Sequence, residues 1–291
     1  MRRAAAGGRI DVVDAVEKEE REKEREKETY VDMDACMTTA IINGHTDMCD
    51  RLMKSRFWDK LGGRETLARA CETACVHNQV TTFKHLYRLW QGGSIPLIAK
   101  AAGLGRFEIF EWLMRTLGSF SGIPHKLEPI IYEAAIGGNI DIMRMLIDDR
   151  DVPPYMVSGA LMFAAKVNAE NMCLFLLERG ASPCDEALIV AAEYGMMDLA
   201  TALLGFKRNV VNVCAKKCEA LVRAARGGHA EMCELLIAHG ACPWARWNKP
   251  IKVAYENDWV HVVKVLVANG ANTRAVSMPS REMFEFISEH M

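Results

Sequence analysis

The stretch that most constrains the fold is Ala220–Cys242 with Glu219 before it, EALVRAARGGHAEMCELLIAHGAC. Leu221, Val222, Ala224 and Ala225 follow helical spacing and stop at Gly227-Gly228. Met232, Cys233, Leu235, Leu236 and Ile237 do the same and stop at Gly240-Ala241. Each set makes one apolar face on a short helix. The Gly pair permits a left-handed turn after the first helix, and the paired alanines let the two helices approach closely. A two-helix hairpin this short cannot cover its apolar face alone. It requires copies of itself on either side.

The copies are present. With Gly228 as the marker of the turn between helices, the equivalent positions are Gly8, Gly44, Asn78, Gly105, Gly138, Asn168, Gly195, Gly228 and Asp258. Successive markers are 36, 34, 27, 33, 30, 27, 33 and 30 residues apart. Where Gly is replaced, Asn or Asp stands in its place, the residues that best tolerate left-handed backbone.

The set resembles the ankyrin repeat, with its period of about 33 residues. The best-matching elements are Ala-Ala-x-x-Gly-His at Ala224 to His229, Gly44-His45, and Gly-Ala after the second helix at Gly180-Ala181, Gly240-Ala241 and Gly270-Ala271. The family's T-P-L-H box reads Glu219-Ala220-Leu221-Val222 in one copy and Lys249-Pro250-Ile251-Lys252 in another. The resemblance implies an all-α, ankyrin-like solenoid of stacked helix-turn-helix repeats. About nine divergent repeats are expected over residues 1–272, and a short C-terminal capping helix over 273–291. It also implies a protein partner bound on the concave face, and a structural hydrogen bond from His45 and His229 at the turn.

Composition agrees. For 291 residues a single array explains the length, since each unit touches only its neighbours. A hydrophobic content of 50% supports a continuous core, and a net charge of −2 gives no footprint for nucleic acid. No apolar run of about 18 residues is present, so no membrane span is expected. The start, MRRAAAGG, lacks the apolar region of a secretory signal. The ten cysteines fall mostly on helix faces, as at Cys49, Cys71, Cys173 and Cys233. They are expected to be reduced, serving as small hydrophobes in an intracellular, monomeric protein.

Along the chain, Met1 sits where the Leu of the box would stand, so the first helix lacks its opening turn. That favours a piece of a longer array or a frayed terminus. Glu17–Glu28, EKEEREKEREKE, reads as a charged helical extension of the first repeat. Phe57 and Trp58 lie in a connector expected to pack back on the stack. Leu117–Lys126 and Gly205–Val213 read as longer loops, the second carrying Lys207 and Arg208. Pro153-Pro154 stops one helix and starts the next. In Pro279–Met291, Met283, Phe284, Phe286 and Ile287 oppose Glu282, Glu285 and Glu289, the pattern of a cap.

Catalytic and metal signatures are missing from the sequence. There is no G-x-x-x-x-G-K-[ST], G-x-S-x-G or H-E-x-x-H. Cys71 and Cys75 occupy buried positions of one helix. Cys214 and Cys218 flank a Lys pair at a helix start, with no His nearby to complete a zinc site. Seventeen methionines, among them Met48, Met143, Met172 and Met232, fall mostly on buried stripes. No cofactor, metal or enzymatic activity is expected.

What remains is recognition. Positions flanking the Ala pair are expected to face out from the first helices. Most carry ordinary polar residues. Phe163, Val167 and Tyr194 do not, and large apolar side chains at such positions mark contact patches. Lys166, Glu193, Arg223 and Arg226 are expected to rim them. Phe163 has the alternative of packing between adjacent repeats, and Leu235 is the expected core residue of the eighth repeat. Two functions follow: a non-enzymatic interaction scaffold with an unidentified protein partner, or the recognition arm of a larger enzyme or regulatory polypeptide such as a ubiquitin-ligase adaptor.

Overall fold

The computed structural model describes residues 7–8, 10, 15, 33–54, 64–90, 92–117, 124–148, 152–205 and 211–272. The charged stretch at 17–28, Phe57, Trp58, the residues 118–123 and 206–210 of the two loops, and the cap at 273–291 lie outside them. Among the described residues there are 16 helices and no strand.

The chain divides into two compact units, residues 1–142 and 143–291. The first holds α1 (Met33–Ile42), α2 (Thr46–Met53), α3 (Arg64–Val76), α4 (Val80–Trp90), α5 (Ile95–Gly103), α6 (Phe107–Leu117) and α7 (Pro124–Gly137). The division falls inside α8 (Ile140–Asp148). The second unit holds α9 (Pro154–Lys166), α10 (Glu170–Glu178), α11 (Asp185–Tyr194), α12 (Met197–Leu204), α13 (Ala215–Gly227), α14 (Ala230–Ala238), α15 (Ala245–Glu256) and α16 (Val260–Ala268).

Odd-numbered helices are the first of each repeat and even-numbered ones the second. In the first unit α1, α3, α5 and α7 pack in succession, and so do α2, α4 and α6. In the second unit α9, α11, α13 and α15 pack in succession, while α10 packs on α12 and α14 on α16. Each unit is thus two layers of helices with the apolar stripes between them.

The turns explain the sequence register. All nine marker positions have positive φ, from 55° at Asn78 to 80° at Gly228. The next residue's N–H then returns to the carbonyl of the first Ala of the pair. Gln79 bonds Ala74, Arg106 bonds Ala101, Met196 bonds Ala191, His229 bonds Ala224 and Trp259 bonds Ala254, at 2.8 to 3.1 Å. This satisfies carbonyls that a helix end leaves open. The second helices close likewise: Ala181, Ala241 and Ala271 bond Leu176, Leu236 and Leu266, each at 2.9 Å.

Side chains at the position after the marker tie one repeat to the one before. Gln79 donates to the Ile42 carbonyl (2.8 Å), Arg106 to Val76 (2.7 Å) and Trp259 to Arg226 (2.9 Å). His229 Nε2 meets the Glu193 carbonyl at 3.1 Å. The acceptor is always two residues before the preceding marker. The bond expected of His229 therefore exists, but it reaches the neighbouring repeat. Each such bond contributes about 1 kcal/mol.

A second set of bonds replaces what the eroded box would supply. Ser158 Oγ, Cys218 Sγ and Asn248 Oδ1 accept the backbone N–H of Ser182, Cys242 and Asn272, at 2.9, 3.5 and 3.3 Å. In every case the donor lies 24 residues on and follows the Gly-Ala that ends the second helix. The start of the first helix is thereby fastened to the end of the second.

Two helix starts are unusual. Lys216, Lys217 and Cys218 have φ of 50°, 62° and 58°, and Arg246, Trp247 and Asn248 have φ of 51°, 60° and 61°. Each is one turn of left-handed helix, closed by Cys218 N–H to the Cys214 carbonyl and Asn248 N–H to the Trp244 carbonyl, both 3.1 Å. Such backbone costs a non-glycine residue roughly 1–2 kcal/mol, so the surrounding contacts must hold it.

The core is filled as the composition suggests. Cys49, Cys71, Cys75, Cys173 and Cys233 are fully buried, as are Met48, Met143, Met172 and Met232. Phe83, Tyr87, Trp90 and Trp112 form an aromatic cluster with ring centroids 5.4 to 6.1 Å apart. One expectation is corrected: Leu235 is only half-buried, and Leu236, beside Met232 and Cys233, is the fully buried residue of α14. No helix of the described residues is long and apolar enough to cross a membrane.

Candidate functional site

The residues singled out from the sequence lie on three neighbouring first helices. Phe163 and Lys166 are on α9 with Val167 as its C-cap, Glu193 and Tyr194 end α11, and Arg223 and Arg226 are on α13. They fall in columns. Lys166, Glu193 and Arg226 stand two residues before their markers, Val167 and Tyr194 one residue before.

Val167 and Tyr194 are 44% and 47% exposed, so neither is core. Phe163 is half-buried, with the Lys166 ammonium 5.8 Å from its ring centroid. That is cation–π distance, and it holds the lysine stem over the ring. Arg226 is exposed, while its carbonyl takes the Trp259 indole N–H.

Arg223 and Glu193 are less available than the sequence suggests. Arg223 donates through Nη1 to Glu193 at 2.7 Å and through Nε to Glu219 at 2.8 Å. Arg246 also binds the Glu219 carboxylate. The four side chains form a line of alternating charge across α11, α13 and α15. Burial pushes the Glu219 carboxyl up, but its bonds to Arg223 and Arg246 outweigh that and hold it below the usual carboxylate range. Partly exposed pairs each contribute little, though a linked series fixes side-chain geometry.

A second surface was invisible in the repeat register. The left-handed turns at 216–218 and 246–248 stand on neighbouring helices, and Lys216, Lys217, Arg246 and Trp247 line a cavity of about 590 Å³ between them. Trp247 is 88% exposed and Trp244 58% exposed. Lys216 pairs with Glu186 of the preceding repeat. That bond raises the lysine's affinity for its proton and lowers that of the glutamate. The available signal was two tryptophans within Trp244-Ala245-Arg246-Trp247, four residues that the periodic pattern leaves unassigned.

Among the described residues no group of three or more His, Cys, Asp or Glu is arranged to hold a metal ion. The two Cys pairs differ. Cys71 and Cys75 are sealed in the core, and burial pushes their thiols up to about 12 and about 11. Cys214 is exposed, and its thiol faces the Gly240 carbonyl at 3.3 Å.

Residues 188–277 match the family described as ankyrin repeats (3 copies). Over 185 residues the chain is 25% identical to the Ankyrin repeat and KH domain-containing protein mask-1 of Caenorhabditis elegans, a stretch that is 54% of this chain and 7% of that protein. The chain thus spans only a small part of that relative. The helix pairs, the nine left-handed turns and these matches agree: the chain is an all-α array of ankyrin-like repeats, of which residues 188–277 match the ankyrin family itself.

Proposed function

We propose that the chain is a non-enzymatic scaffold that holds a protein partner on the outward face of α9, α11 and α13. The observation that carries this is the pair Val167 and Tyr194. Both are large, both are exposed, and both stand at the same register position of adjacent helices. Phe163 and Lys166 continue the face on one side, and Arg226 on the other. The line Glu193–Arg223–Glu219–Arg246 keeps the helices in fixed relation beneath a partner. An aromatic centre with a charged rim is the usual anatomy of an interface hot spot.

Phe163→Ala and Tyr194→Ala are each expected to weaken binding of a partner captured from lysate by about 1–3 kcal/mol, with little change in stability. Leu236→Ala in the core is the control and should cost about 2–5 kcal/mol of stability. The measurements are calorimetric titration and urea unfolding. If Phe163→Ala destabilises as the control does, Phe163 belongs to the packing between repeats. If both surface variants bind normally, the partner sits elsewhere.

A second reading is favoured by the relative, in which the matched stretch is only 7% of a much longer chain. By that reading this array is the recognition arm of a larger polypeptide, such as a ubiquitin-ligase adaptor. Transcript sequence flanking residues 1–291 separates the two.

A further inference from the structure

The cavity between the two left-handed turns is lined by three cations and an indole, with no carboxylate in its wall: Lys216, Lys217, Arg246 and Trp247. Lys216 and Arg246 are anchored from behind by Glu186 and Glu219, while Lys217 has no ion-pair partner among the described residues. The surrounding chain is basic. Residues 205–252 hold nine Lys and Arg against three Glu, and two of those, Glu231 and Glu234, lie on the second helix α14. An indole 88% exposed to water, held beside three cations on a left-handed turn, has no packing role of its own.

We propose that this cavity docks an acidic peptide segment carrying a large apolar side chain beside its carboxylates. The apolar group lies on the Trp247 face. One carboxylate pairs with Lys217, and others share the ammonium of Lys216 and the guanidinium of Arg246, which have further donors to offer. A nucleic-acid strand is the less suitable occupant. It needs a long track of cations along its phosphates, and here only three cations are gathered at one cavity in a chain of net charge −2. The residues varied in its test, Lys217 and Trp247, take no part in the Val167 and Tyr194 face, so the test does not depend on that face.

The probe is a fluorescein-labelled peptide with Phe between two pairs of Glu, titrated against the full chain by fluorescence anisotropy. Saturable binding is expected, weakening with added salt. Trp247→Asn and Lys217→Glu should each weaken it by at least about tenfold. Asn tolerates the left-handed backbone at position 247, so the first variant removes the indole and keeps the turn. Leu89→Ala, an exposed apolar residue of α4 outside both surfaces, should leave the affinity unchanged. Replacing the peptide's Phe by Ala, or its Glu by Gln, should abolish binding. The proposal is overturned by no saturation at millimolar peptide, by equal affinity of Trp247→Asn and the parent chain, or by an oligothymidine that binds more tightly than the peptide and displaces it.

Discussion

Gly137→Ala should cost about 3 kcal/mol or more of stability. A Cβ at Gly137 would stand 2.3 Å from the Gly103 carbonyl oxygen, 2.8 Å from its carbon and 2.9 Å from its Cα. All three atoms are backbone, so no side chain can rotate away. The only relief is for α7 to move off α5, which undoes the packing of both against their neighbours. The next residue separates this effect from the ordinary one. Gly138 has φ +69° and open space around its would-be Cβ, so Gly138→Ala should cost only about 1–2 kcal/mol, the left-handed penalty. Gly93, with open space and no positive φ, should accept Ala with almost no change. Urea unfolding of the three variants ranks them. Equal losses for Gly137→Ala and Gly138→Ala would mean that α5 and α7 do not meet through their glycine backbones.

The two glycines show what the sequence displays and what it hides. Gly138 was legible as a turn marker, because a left-handed residue after a helix selects Gly, Asn or Asp, and those occupy all nine positions. Gly137 was legible only as half of a pair. Its need for a bare Cα comes from Gly103, 34 residues earlier, and no local pattern carries that. The same limit applies to the left-handed turns. Lys216, Lys217, Arg246 and Trp247 have no intrinsic preference for positive φ. Their backbone is held by contacts distant in the chain, such as Asn248 accepting the N–H of Asn272 within the same repeat and Arg246 binding Glu219 of the preceding one. Leu235 was misplaced for a geometric reason. A nine-residue helix with apolar residues at 232, 233, 235, 236 and 237 spreads them around more than one face. Periodicity then marks the stripe without its centre. The exposed columns at Val167 and Tyr194 were readable because the register was, whereas the tie between Arg223 and Glu193 needed the stacking of α11 on α13.

The buried thiols should make the fold sensitive to alkali. Burial pushes Cys49, Cys71, Cys173 and Cys233 from 9.0 up to about 12, with the neighbouring Asp50, Glu72, Glu170 and Glu234 adding to it. Cys75 rises only to about 11, because the positive charges of Lys100 and Arg106 oppose its burial. In the unfolded chain these thiols ionise near pH 9, and in the folded chain they stay protonated. From about pH 9 upward the folded state therefore binds more protons than the unfolded one, and stability falls as pH rises. The contribution is fully present below about pH 8.5 and is lost at about 1.4 kcal/mol per pH unit for each thiol until its folded value is reached. All five groups act in the same direction, three in residues 1–142 and two in 143–291, so the unfolding free energy of both units should fall between about pH 9 and 11. The measurement is unfolding free energy against pH for the parent and for Cys233→Ala. The variant starts lower at neutral pH, having lost a core group. Its slope above about pH 9.5 should be shallower by about 1.4 kcal/mol per pH unit. Parallel slopes would show that Cys233 ionises as readily in the fold as out of it.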